Sequence, residues 1–176
     1  NYVTGDQVDY GLVTTYDNNG NGETDRNVRY SLGAVPREFA NIEAEGGETV
    51  LTDLNNNGTF GLYDIKGKRH SQGGVPMYLP DQSFIFSDTK ALKMKPNDLA
   101  EFGIESKKHM TPAKVSKNFQ LNEFISAAGD PDSDFITEKS AELMLDKNMM
   151  SLSKLAFGQE VKKGFEEGVP LAAFPY

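Results

Sequence analysis

The order of apolar and polar positions changes character along the chain. In the first part, short runs carrying β-branched and aromatic residues alternate with Gly/Asn-rich turns: YGLVTTYD, NVRYSLG, NIEAEGGETVLTD, GLYDIKG and VPMYLPDQSFIFSD. Their period is close to two, the signature of strands with one buried face. Ile42 and Ala44 fall on one side of such a strand and Glu43 and Glu45 on the other, while Phe84 and Phe86 alternate with Ser83, Ile85 and Ser87. From about residue 96 the period lengthens to that of a helix. Asn97 and Thr111 read as N-caps, the second with Pro112 at the first helical position. TPAKVSKNF and LNEFISAAG each predict a short helix. The stretch from about Asp134 to Glu166 predicts a long helix or two, ended by Gly168 and Pro170. Ile136, Leu143, Met144, Met150, Leu152, Leu155, Val161 and Phe165 recur at three- and four-residue spacing and predict a packing face. The expected class is α+β: a small antiparallel β domain over residues 1–95, then a helical region over 96–176.

Bulk properties narrow the function. The chain has 176 residues, mean hydropathy −0.52 and net charge −8. No apolar run approaches the roughly 18 residues that cross a bilayer, so no membrane segment is expected. The acidic excess is spread evenly, and the one basic cluster, Lys66 to His70, is too small for phosphate neutralisation, so direct nucleic-acid binding is not expected. The absence of cysteine removes thiol nucleophiles and Cys-based zinc sites, and two histidines exclude a histidine-rich metal centre. The chain opens on Asn1 and closes within the apolar run VPLAAFPY, which leads to the expectation of a fragment of a longer polypeptide.

Four stretches carry candidate chemistry. TDLNNNGTFGLYD spaces Asp53, Asn55 and Asn57 at alternate positions, follows them with Gly58 and closes on Asp64. That is the layout of a calcium loop, with oxygen ligands at positions 1, 3, 5 and 12. The same residues suit a hairpin turn, because Asn and Gly tolerate positive φ, and the lack of flanking helices favours the hairpin. DNNGNGETD repeats the layout at Asp17, Asn19 and Asn21, but its twelfth position is Val28, which cannot be a ligand. EAEGGE places Glu43 and Glu45 two residues apart, roughly 7 Å along a strand, a separation suited to paired-carboxylate hydrolysis as well as to a solvated strand face. KGKRHSQGG sets His70 beside Ser71 ahead of Gly73 and Gly74; sequence neighbours seldom have triad geometry, so a histidine held in a tight turn is the expected state. No catalytic constellation emerges.

The ordered set NIEAEGGETVL, IKGKRHSQGGVPMYLPDQSFIFSDTKALKM, TPAKVSKNFQLNEF, DPDSDFITEKSAELML and LSKLAFGQEVKKGFEEGVPLAAFPY resembles a family of large virion-associated proteins of crAss-like bacteriophages, tailed phages of gut Bacteroidota. The likeness runs from about Ala40 to Tyr176, and GKRHSQGGV…FIFSD and LAFGQEVKKGF are its most specific parts. It implies a cargo or structural protein lodged in the capsid, portal or tail lumen of the virion, of a kind that can leave with the DNA, with other virion proteins as partners and assembly in the host cytoplasm. Glu43, Glu45, Glu48, His70, Gly73 and Gly74 belong to its recurring motifs, but the resemblance carries no catalytic residues. KGFEEGVP departs from the pattern at Glu166, where a proline is expected, which bears on a turn. Two alternatives remain at this point: a virion-associated hydrolase using Glu43, Glu45 and His70, and a β module stabilised by calcium at Asp53, Asn55, Asn57 and Asp64.

Overall fold

The computed structural model describes residues 3–4, 7–8, 11–16 and 28–167. The α+β class is what it shows, strands first and helices after. Strands β1 (Val3–Thr4) and β2 (Gln7–Val8) form a two-residue ladder. A five-stranded sheet follows, built from β3 (Leu12–Tyr16), β4 (Val28–Leu32), β6 (Thr49–Thr52), β7 (Gly61–Ile65) and β9 (Phe84–Phe86), in the order β3-β4-β7-β6-β9. Between them in sequence lie β5 (Ile42–Ala44) and β8 (Val75–Met77), which pair with each other as a separate antiparallel ribbon. The large sheet is mixed rather than wholly antiparallel. β4 and β7 run parallel, with Ser31 opposite Asp64 and Leu32 opposite Ile65. That pairing joins strands far apart in sequence, whereas turn chemistry reports only hairpins between neighbours.

Contacts divide the chain into two compact units, Asn1–Ile85 and Phe86–Tyr176. In the first, Leu32, Ala44, Val50, Ile65, Val75, Met77 and Leu79 make one buried cluster, drawing side chains from both sheets, with Leu54, Tyr63 and Ile85 packed against it. Each fully buried aliphatic side chain contributes roughly 2 kcal/mol of transfer free energy to such a core. All of β6 is buried, Thr49 and Thr52 included, and the Thr52 hydroxyl is satisfied by that of Ser83 at 2.7 Å.

The second unit holds four helices: α1 (Pro96–Ala100), α2 (Pro112–Lys117), α3 (Leu121–Ala128) and α4 (Phe135–Glu167). α1 starts two residues earlier than expected, with Lys95 rather than Asn97 as N-cap and Pro96 at the first helical position, where a fixed φ and a missing N–H are least costly. Thr111 caps α2 as anticipated, its Oγ1 accepting the Lys114 N–H. α4 is one continuous helix of 33 residues. Asp134 caps it, accepting the Thr137 N–H at 2.7 Å. This bond holds the Asp134 carboxyl below its ordinary value. α3 packs on α4. The expected ending of the helix at Gly168 and Pro170, and the second Asn-rich loop at residues 17–27, lie outside the described residues.

Candidate functional site

The carboxylates and the histidine singled out in the sequence gather at one end of the β5–β8 ribbon, over the loop from Lys66 to Gly74. The loop is held there by backbone and side chain together. Gly46 donates its N–H to the Lys68 carbonyl at 3.0 Å and Gly47 to that of Ile65 at 3.1 Å. A Cβ on Gly46 would lie 1.9 Å from the Gly67 carbonyl oxygen, so the chain crossing requires glycine there. Glu45 accepts the His70 backbone N–H at 2.9 Å. Glu48 accepts the Glu45 N–H at 2.6 Å. Arg37, from the 3-10 turn Arg37–Phe39, reaches over to the Gly73 carbonyl at 2.7 Å and to Glu43 at 3.3 Å. Gly74 has φ +70°, and any side chain on it would collide with the Glu43 carboxylate.

These contacts decide what the cluster can do. Glu43, Glu45 and Glu48 each accept a hydrogen bond from the protein itself, and it is the backbone of His70, not its exposed imidazole, that Glu45 meets. The arrangement is a clamp that fixes a glycine-rich loop onto a two-stranded ribbon. Burial raises the Glu48 carboxyl above the ordinary value, and the Glu45 charge adds to the rise. The Glu45 N–H, His70 and Arg69 pull the other way. Two cavities among the described residues are lined by residues other than Glu43, Glu45 and His70. One of about 210 Å³ lies among Asn41, Ile42, Leu79 and Ser83. The other, about 470 Å³, opens in the helical unit between Leu92, Met94, Phe102, Pro112, Leu155 and Val161.

The TDLNNNGTFGLYD stretch forms the β6–β7 hairpin, closed by the Thr52–Gly61 pair. Asp53 caps the loop from inside, accepting the Asn57 N–H at 3.2 Å and the Gly58 N–H at 2.7 Å. Asn57 accepts the Thr59 N–H at 3.0 Å, and Asn56 takes the left-handed conformation with φ 51°. Asp64 sits within β7 opposite Thr49, three pairs along the ladder from the loop and so roughly 10 Å away from it. Asp53, Asn55 and Asn57 therefore share a loop that Asp64 does not join. Among the described residues no three His, Asp or Glu side chains are grouped as a metal would need.

The helix α4 departs most from the sequence reading. The single expected packing face is two opposite faces. Ala141, Asn148, Leu152, Leu155 and Gln159 are buried, with Leu145 half-buried between them, a seam of alternating four- and three-residue steps. Its two amides are satisfied: Asn148 donates to the Phe119 carbonyl at 2.7 Å, and Gln159 accepts the Ser87 N–H at 2.8 Å. Ile136, Leu143 and Met150 are instead 76%, 70% and 66% exposed, and Phe157 is 43% exposed. Leu143 follows Ala141 by two residues, about 200° around the helix, so this row lies opposite the seam. The signal in the sequence was the strict seven-residue step of these four positions, set against the 3-4 step of the seam.

Comparison of the chain with protein-family models, with characterised proteins and with solved structures finds no match. Among the described residues no helix is long and apolar enough to cross a membrane.

Proposed function

We propose that this chain is part of a virion protein of a crAss-like phage, a cargo or structural component in the capsid, portal or tail lumen, and that it works by protein–protein contact. The motif resemblance suggests the setting. The observation that carries the mode of action is the exposed row Ile136, Leu143, Met150 and Phe157 on a 33-residue helix whose opposite face is buried in its own unit. Four large apolar side chains on one face of a helix, opposite its buried seam, support a role for that face in contact with another protein.

The hydrolase alternative asks for a carboxylate and an imidazole turned together into a cavity. Glu45 instead accepts a backbone N–H of the 66–74 loop, Glu48 accepts the Glu45 N–H and Glu43 meets Arg37, which supports an architectural role for the motif residues. Mass spectrometry of purified particles, followed by cryo-EM, tests the proposal. The chain is expected in stoichiometric amounts, with α4 against a neighbouring subunit. Particles lacking it, or density with the exposed row of α4 facing solvent throughout, would overturn the reading.

A further inference from the structure

We propose that the larger cavity of the helical unit is a binding site for an uncharged apolar segment, and that its occupant is the stretch of this chain directly after α4, GVPLAAFPY at residues 168–176. The inference goes beyond the virion reading and does not depend on it.

The cavity sets the chemistry. At about 470 Å³ it falls within the size range of ligand sites, and its described lining belongs to the second unit. Leu92, Met94, Phe102, Pro112, Leu155 and Val161 make that lining largely apolar. Lys162 is tied down at one side, its Nζ donating to the Lys93 carbonyl at 2.8 Å. The charges at the cavity are balanced: Asp98 and Glu101 come from α1 and its C-cap, Lys154 and Lys162 from α4. Such a set favours neither a cation nor an anion, and a neutral apolar occupant is the better match.

Gly158 points the same way. It lies inside α4, where glycine is unfavourable relative to alanine, and its φ is not left-handed. A Cβ on it would meet nothing within 4 Å. Neither backbone conformation nor packing among the described residues calls for glycine there. Its effect is to leave bare backbone on the cavity wall, where another stretch of chain can approach closely.

Position and composition then select the occupant. α4 carries the cavity wall from Lys154 to Lys162 and runs on to Glu167. From Glu167 back to Gly158 is roughly 14 Å of helix. Gly168 and Pro170 are helix-ending signals, and Leu171 to Phe174 span about 13 Å when extended. A chain that turns back after α4 therefore sets Phe174 against Gly158. The segment carries no charged side chain, which matches the lining. Its tether to α4 gives it an effective concentration at the cavity that a separate molecule lacks.

The chain contains neither tryptophan nor cysteine, so introduced ones report alone. In the full chain, Phe174→Trp is expected to give blue-shifted emission, with acrylamide quenching several-fold weaker than for free N-acetyltryptophanamide. Adding Gly158→Leu, which fills the bare patch with a good helix former, should return both to solvent-like values with an unchanged circular dichroism spectrum. A second measurement covers the case in which tryptophan is too large for the site. Lys154→Cys with Tyr176→Cys should form a disulfide under mild oxidation. Ile136→Cys with Tyr176→Cys, roughly 27 Å farther along α4, should not. Solvent-like emission with no selective disulfide overturns the proposal and leaves the cavity to a separate molecule. A blue shift indifferent to Gly158→Leu overturns it as well, since the segment is then held elsewhere.

Discussion

The 66–74 loop with its clamp and the helix α4 handle their side chains in opposite ways. At the clamp, the carboxylates that look reactive accept hydrogen bonds from the protein itself. Glu45 holds a backbone N–H of the loop, Glu48 holds Glu45, and Arg37 ties Gly73 to Glu43. On α4, the residues that look like core are turned outwards, while Asn148 and Gln159 lie in the buried seam. Residue type alone would have placed catalysis at the first and packing at the second. What separates the readings is whether a group's bonding needs are met inside the chain. A carboxylate that accepts a backbone N–H is a fastener; an apolar side chain left largely exposed is one that the chain's own core does not use.

Substitutions at the two regions should separate them, and the largest effects belong to the clamp's backbone. Gly46→Ala should cost about 3 kcal/mol or more, because the new methyl meets a carbonyl on a crossing backbone that has no rotamer to change. Chemical denaturation reads this directly, and a cost under about 1 kcal/mol would mean that the crossing can open. On α4 the informative experiment is a matched pair. Leu155→Ala, in the buried seam, should cost about 3 kcal/mol, whereas Leu143→Ala, in the exposed row, should stay within about 0.5 kcal/mol. Equal costs would erase the distinction between the faces. Glu45→Ala should cost about 1 kcal/mol and raise amide exchange at His70 in the otherwise folded protein, since that N–H loses its acceptor. Unchanged protection at His70 would remove Glu45 from the clamp.

Two smaller effects depend on pH. Glu48 has a folded carboxyl raised above its unfolded value, chiefly by burial. Its contribution is therefore fully present below the unfolded value and lost as pH rises through the folded one. Glu48→Gln keeps an acceptor for the Glu45 N–H and never ionises, so at pH 7 it should match or slightly exceed the wild type in melting temperature, with the advantage vanishing in acid. A destabilised Glu48→Gln at pH 7 would show that the ionised carboxylate is the better clamp. Asp134 has the opposite sign: held low by the Thr137 N–H, it stabilises α4 above its unfolded value and loses that effect as pH falls through the folded one. Asp134→Ala should lower the melting temperature at pH 7 and converge with the wild type in acid. Parallel melting curves at every pH would contradict this.

Much of the fold could be read from the sequence, and the misses have physical causes. The period of two located the strands because each pleat sends neighbouring side chains to opposite faces; in β5 Ala44 is buried beside exposed Glu43, while Ile42, expected on the face of Ala44, is 40% exposed. The β4–β7 parallel pair escaped because nothing local in Val28–Leu32 or Gly61–Ile65 names its mate. On α4 two heptad rows half a turn apart merge into one apolar pattern when counted together, and Asn148 and Gln159 broke the seam that would have separated them. The clamp was half visible. Glu43, Glu45, His70, Gly73 and Gly74 were recognisable as a group, but that Glu45 accepts the His70 backbone N–H, and that Arg37 ties Glu43 to Gly73, follows only from how β5 and β8 bring the loop over.

The proposed working surface is the exposed row of α4, and not the clamp's carboxylates and histidine. Quantitative mass spectrometry of particles assembled with Leu143→Lys or with Glu45→Gln plus His70→Ala tests it most directly, both chains first being shown to fold. The α4 variant is expected to be depleted from particles while the clamp variant is retained with normal infectivity. Retention of the α4 variant, together with loss of infectivity in the clamp variant, would contradict it and return the catalytic reading to Glu45 and His70.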